Sequence, residues 1–199
     1  MFADGLGFTR TQKVTTMHKL LLTTAICAMT AGSAFGQSGE SMSHLQLIDR
    51  LDRPQDGYCL DIPGTGQNLR LDVPVFAHNC KRGLTTDSAV VFTDQGQIRF
   101  PSVDRCLTVA GVNGTALPGT STLLRGCSGS IPFVGDTSLQ RFELSDAGQM
   151  VLAGTNLCLS VGAESDRTFS SADRWRALYV EDCDVITPER SRWAFVIPG

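Results

Sequence analysis

A carboxylate follows a cysteine by two residues at Cys59-Leu60-Asp61. The chain repeats the pattern without the acid at Cys106-Leu107-Thr108 and Cys158-Leu159-Ser160. Cysteines so placed can bind metal, attack a substrate or pair with each other. Zinc is not the expectation: no C-x-x-C pair occurs, and beyond the N-terminal segment only His44 and His78 could add imidazole ligands. No histidine stands in a serine or cysteine nucleophile signature, and no phosphate-loop motif is present. The reading is therefore not an enzyme, with neither metal nor cofactor implied, although the 20 acidic residues leave a glycosidase carboxylate pair open on the residues alone. Asp61 itself has two readings. It can open a turn in "DIPGTGQN", or it can act as a charge-assisted acceptor for a ligand.

The elements that would position Asp61 begin after an export segment. From Met17 the chain reads "MHKLLLTTAICAMTAGSAFGQ": a basic start at Lys19, an apolar run over 20–29, then small residues. This predicts a secretory signal cleaved after Gly36, with Met17 as the start and residues 1–36 lost. The run is too short for a stable membrane anchor, and no later stretch is apolar enough for a membrane span. Lipidation at Cys27 is the weaker reading, because the bulky Ile26 precedes it. The destination is the periplasm or the exterior. Residues 37–44, "QSGESMSH", read as a polar leader and 45–199 as one domain. Losing Arg10, Lys13 and Lys19 but only Asp4 moves the formal charge from −3 to −5. An acidic domain lacks the basic footprint that nucleic acid requires.

Of seven cysteines, all but Cys27 survive cleavage, and an even number behind a signal reads as a disulfide framework. Internal repetition selects the pairing. Cys59 and Cys80 are 21 apart, as are Cys106 and Cys127, and Cys158 and Cys183 are 25 apart. "DQGQIRF" at 94–100 matches "DAGQMVL" at 146–152, and Gly96 and Gly148 each precede a cysteine by ten residues. The units run 45–92, 93–144 and 145–199. Each holds about four short strands between Gly, Asn, Asp or Pro turns, such as "CLTVAG", "TLLRGC" and "RFEL". No segment sustains a helical period, and "DRWRAL" at 173–178 is at most a brief helical turn. A unit of about fifty residues cannot cover its own apolar face, so a closed, pseudo-threefold all-β fold is expected.

Three such units, each with Cys-Leu-x, a second cysteine and a closing aromatic, resemble the ricin B-type β-trefoil lectins over 45–199. That family also appears in the binding subunits of cytolethal distending toxins. Its closing Gln-x-Trp corresponds to Gln140-Arg141-Phe142 and Ser191-Arg192-Trp193, and in the first unit only to Ser88-Ala89-Val90. The resemblance implies Phe142 and Trp193 as core residues. It implies a sugar site where the Cys-x-Asp carboxylate accepts two adjacent hydroxyls, a ring stacks two residues before the second cysteine, and a later polar pair supports the acid. On this chain those positions are Asp61, His78 and Asp87, with Ser88 beside Asp87 and Phe76 at a place that is often polar. The equivalents Thr108 and Arg125, and Ser160 and Glu181, supply no carboxylate under a ring.

The resemblance thus implies a secreted carbohydrate-binding protein with one sugar site, in the first unit. Such a site alone binds weakly, on the order of 0.1–1 mM, so avidity needs clustered ligand. The alternative is a degenerate trefoil scaffold that binds a protein partner, as a subunit of an exported complex or toxin. The third unit carries extra length at 164–176, "ESDRTFSSADRWR". Trp175 within it is expected to be buried under this insertion, with exposure for protein or glycan contact as the alternative. Peptide mapping of the exported protein should find the pairs 59–80, 106–127 and 158–183 with no free thiol. A bond between units would break the repeat alignment.

Overall fold

The alternating segments form strands, as their residue types require. The structure is a computed structural model that describes residues 41–128 and 137–198. The expected signal over 1–36 and residues 37–40 of the leader lie outside the described residues. The first unit contains β1 (His44–Leu47), β2 (Tyr58–Asp61), β3 (Phe76–Asn79) and β4 (Val91–Phe92). The second contains β5 (Ile98–Phe100), β6 (Arg105–Val109), β7 (Thr120–Arg125) and β8 (Phe142–Leu144). The third contains β9 (Met150–Leu152), β10 (Leu157–Val161), β11 (Asp166–Arg167), β12 (Arg174–Asp182) and β13 (Trp193–Val196). Four strands per unit are present, and β11 is an addition of the third. "DRWRAL" forms no helical turn: residues 174–178 open β12, where pairing with β3 holds them extended. No helix among the described residues is long and apolar enough to cross a membrane.

Within each unit the first and last strands meet at an isolated bridge: Ser43 with Val90, Gln97 with Arg141, Gln149 with Arg192. Between units the last strand pairs with the next first strand, as β4–β5 and β8–β9, and β13 returns to β1. These six strands close a barrel that begins at Ser43. The middle strands form three hairpins, β2–β3, β6–β7 and β10–β12, and β12 also joins β3 and β7. This is the β-trefoil topology.

Alternation along the strands fills the core in threes. Leu45, Ile98 and Met150 occupy equivalent places, as do Leu47, Phe100 and Leu152, Leu60, Leu107 and Leu159, and Val90, Phe142 and Trp193; none is more than 1% exposed. Trp193 carries a polar group inward, and its Nε1 donates to the Leu159 carbonyl at 2.8 Å. Sequence variation in the closing tripeptide is absorbed by its partner on the unit's first strand or just before it. Ser88 reaches His44 at 3.1 Å, Gln97 donates to Gln140 at 2.9 Å, and Gln149 donates to Ser191 at 3.4 Å. Both repeated glycines, Gly96 and Gly148, have positive φ, and Gly96 has a steric cause as well. Gly96 has φ +76°, and a Cβ there would lie 2.6 Å from the Phe142 carbonyl oxygen.

All three disulfides stay within their units. Cys59–Cys80, Cys106–Cys127 and Cys158–Cys183 have Cα separations of 4.9, 5.0 and 5.1 Å, and each ties a hairpin's first strand to the end of its second. The two tryptophans make opposite predictions. Trp193→Ala should cost about 3–5 kcal/mol, read from the urea midpoint, because the surrounding barrel cannot collapse into the void. Trp175, 38% exposed, should cost under about 1 kcal/mol on the same change. Equal losses would contradict this division of core and surface.

Candidate functional site

The first hairpin sorts its side chains by alternation. Leu60 and Ala77 face the core and are fully buried. Asp61 pairs across the hairpin with Phe76, and Cys59 with His78, so these four project to the other face. The Cys59–Cys80 bridge fixes the open end of the hairpin, and the residue after Cys80 is Lys81. The Lys81 ammonium donates to Asp61 at 2.9 Å and also to Asp87, joining the two carboxylates. Asp87 further accepts from Thr85 Oγ1 at 2.5 Å. Thr85 also bonds to Ser88 at 2.7 Å, and Ser88 to His44. A polar chain thus runs from the barrel strand β1 out to Asp61.

The structure therefore brings Asp61, His78 and Asp87 into one cluster, around Lys81, which belongs to no motif in the sequence. Lys81 left little signal, because a basic residue in "NCKRG" looks like an ordinary solvated charge. His78 is not presented as a stacking platform. Its side chain is 14% exposed, and its ring meets Phe76 edge-on with centroids 5.6 Å apart. Its Nδ1 lies 3.8 Å from Asp61, too far for a hydrogen bond, and has no protein partner although buried.

Electrostatics separate the two acids. Burial, reinforced by the Asp87 charge and only partly offset by Lys81, pushes the Asp61 carboxyl up to about 7. Burial also acts on Asp87, but the bonds from Lys81 and Thr85 outweigh it and hold that carboxyl below its ordinary value. Burial and the Lys81 charge lower His78, which stays neutral near pH 7. Burial opposes the charge on Lys81 too, but Asp61 and Asp87 overcome it, so the ammonium is a donor rather than a nucleophile.

These groups line a cavity of about 180 Å³. Thr168, Phe169 and Asp173 of the third unit's insertion also border it. The insertion reaches the first unit because β12 pairs with β3, placing Trp175 opposite His78 and Ala177 opposite Phe76. Trp175 is not buried, contrary to expectation; its ring stands edge-on to Phe76 at 6.1 Å and keeps 38% of its surface exposed. The neighbouring Arg176 is the buried residue. It donates to the Gly162 and Ala163 carbonyls at 2.7 and 2.6 Å, to Asp52 at 2.6 Å, and lies 5.0 Å above the Tyr58 ring. Strand alternation turns Trp175 outward as Arg176 turns in.

Among the described residues, the other two units show no such cluster. Thr108 and Ser160 are buried, and each hydroxyl bonds back to the carbonyl of its own cysteine, at 3.0 and 2.9 Å. Arg125 and Glu181 spend polar atoms on local backbone groups. No group of three or more His, Cys, Asp or Glu among the described residues could hold a metal ion.

The sequence profile described as the ricin-type beta-trefoil lectin domain matches residues 49–189. Among solved structures, an agglutinin from Abrus precatorius has a TM-score of 0.55 at 21% identity, covering 80% of this chain and 50% of that one. The mdaA-1 domain in solution has a TM-score of 0.55 at 18% identity, covering 80% and 91%. The β-trefoil lectin of the Vibrio vulnificus hemolysin/cytolysin, solved with N-acetyl-D-lactosamine bound, has a TM-score of 0.50 at 16% identity, covering 81% and 98%. At these identities the likeness is one of fold, and the chain spans half the length of the agglutinin. No curated protein sequence matches the chain.

Asp61 also makes a prediction about stability. Its folded value lies above the ordinary carboxylate value near 3.8, so the folded protein holds this proton more tightly than the unfolded chain. The contribution of Asp61 is full below that ordinary value and is lost as pH rises towards about 7. Asp61→Asn should therefore gain stability relative to the unsubstituted protein between about pH 4 and pH 7, and hold a constant difference above. Denaturant unfolding of both proteins across that range checks it; a difference independent of pH would show that Asp61 is not perturbed.

Proposed function

The chain belongs to the ricin-type β-trefoil lectin family, and on that premise we propose that it is an exported carbohydrate-binding protein with a single sugar site, in its first repeat. The observation that carries this reading is the cluster of Asp61, Lys81 and His78 around a small cavity, against the self-bonded hydroxyls of Thr108 and Ser160. Adjacent sugar hydroxyls suit this cluster. One donates to the Asp61 carboxylate, its neighbour accepts from the Lys81 ammonium, and both bonds are charge-assisted. His78 Nδ1 offers a third contact, and Asp87 holds Lys81 in place. The same arrangement favours binding over hydrolysis. Lys81 bridges the two carboxylates, where a glycosidase would keep its scissile bond or attacking water.

Export is supported by the apolar run over 20–29 and by three disulfides, which persist in oxidising compartments. A second reading, a scaffold for a protein partner, draws support from the loss of the acid in two of the three repeats. A glycan array separates them. The oxidised protein should bind a defined glycan class, and Asp61→Asn, still folded, should not. Binding should be roughly tenfold weaker at pH 6 than at pH 8, because a group titrating at about 7 loses its acceptor charge over that interval. Silence of the folded protein across the array at pH 8 would favour the scaffold.

A further inference from the structure

Beside the polar cavity lies a larger one of about 780 Å³, and the two share Gly64, Thr65, Phe76, Thr168 and Phe169. The larger one is walled by Pro63, Pro74, Phe76, Phe169 and Trp175. We propose that this trough is a subsite continuous with the sugar site, and that the protein selects glycosides carrying an apolar substituent, an aryl or alkyl aglycone, on the sugar held by Asp61 and Lys81. The inference rests on the sugar reading and adds the substrate class to it.

The trough's chemistry distinguishes its occupant from a second sugar. A further ring would bring hydroxyls that need partners when withdrawn from water. The exposed lining is mainly apolar despite Thr65, Asn68 and Thr168, and the charged lining residue, Arg70, is turned to Asp72 through bonds of 2.9 and 3.1 Å. An apolar group needs no partners and gains from leaving water. The volume falls within the range of small-molecule sites. Phe169 is fully exposed and Trp175 38% exposed on the same rim, which leaves large apolar side chains facing solvent at one place.

The wall is also held in position. β11 pairs with β12 through Asp166 and Trp175, and β12 pairs with β3 through Trp175 and His78. Arg53 donates to the Ala172 carbonyl at 2.6 Å, Ser165 to Asp52 at 2.6 Å, and the Arg174 amide to Asn79 at 3.2 Å. Asp52, despite partial burial, is kept below the usual carboxylate range by Arg176, Ser165 and Tyr58, so its bonds to Ser165 and Arg176 stay charge-assisted. On the opposite wall, Gly64 has φ +104°, and a Cβ there would lie 2.2 Å from the Asn68 carbonyl oxygen. Only glycine lets that turn fold closely enough to border both cavities.

The test is calorimetric titration of the folded protein at pH 8 with matched methyl and phenyl β-glycosides of galactose, glucose and N-acetylglucosamine, and α-glycosides of mannose. For the sugar that binds, the phenyl glycoside should bind roughly tenfold more tightly than the methyl glycoside, the scale set by burying a ring face. Trp175→Ala and Phe169→Ala should each bring that ratio close to one; Phe169 is fully exposed, so its removal cannot unfold the domain. Asp61→Asn should abolish binding of both glycosides. Equal affinity for methyl and phenyl glycosides would overturn the subsite while leaving the sugar reading intact, as would a phenyl preference that survives both aromatic substitutions. Phenyl glycoside binding that survives Asp61→Asn would show a trough acting apart from the sugar site. No binding by any of these glycosides would remove the sugar reading and the subsite with it.

Discussion

A unit of about fifty residues with four short strands has an apolar face too large to leave in water and too small a body to cover it. The structure answers with ring closure. The last strand of each unit pairs with the first strand of the next, and β13 returns to β1, so the barrel has no open edge. Val90, Phe142 and Trp193 then share one interior level although they differ greatly in volume. The ring requires only that their sum fill the barrel. That is why the closing tripeptide can vary so widely, while its polar residue still finds a partner on each unit's opening strand or just before it.

Closure settles the core, and the hairpins are left to differ. Each is pinned by its own disulfide, so a change in its outward residues leaves the barrel undisturbed. In the second and third hairpins the position after Cys-Leu is a hydroxyl that bonds to its own cysteine's carbonyl and asks nothing of a ligand. In the first it is a carboxylate, almost wholly buried, which one shared ammonium only partly compensates. A buried carboxylate with incomplete compensation is costly to the fold and useful to a ligand that brings hydroxyl donors. The asymmetry among the hairpins is therefore electrostatic before it is geometric.

The third unit's extra length acts on the first unit rather than on its own. Arg176, Arg53 and Asn79 tie it across the molecule, and pairing of β12 with β3 extends the first hairpin by another strand. The result is a polar cavity and an apolar trough that share one wall of aromatic and glycine residues. Neither unit supplies this wall alone.

Much of this was legible in the sequence because it is local or periodic. Cysteine spacings of 21, 21 and 25 chose the three pairs, since a repeated unit repeats its covalent ties. Short apolar runs between turn residues marked the strands, and the triplets beginning at each Cys-Leu marked the first unit as the one with an acid. What only the tertiary structure decided depends on separations that no local pattern carries. Lys81 bridges Asp61 and Asp87 because a hairpin and a following loop bring three charges together, whereas in sequence it is one basic residue among several. The edge-on contact of His78 with Phe76 depends on how the two side chains pack on one face of the hairpin. Trp175 faces outward because Arg176 is drawn inward by Asp52 and the Tyr58 ring, contacts made between the third repeat and the first. Covalent pairing is written in spacing, but the charge cluster is written in contacts within the folded first repeat, and the aromatic wall beside it in contacts between the third repeat and the first.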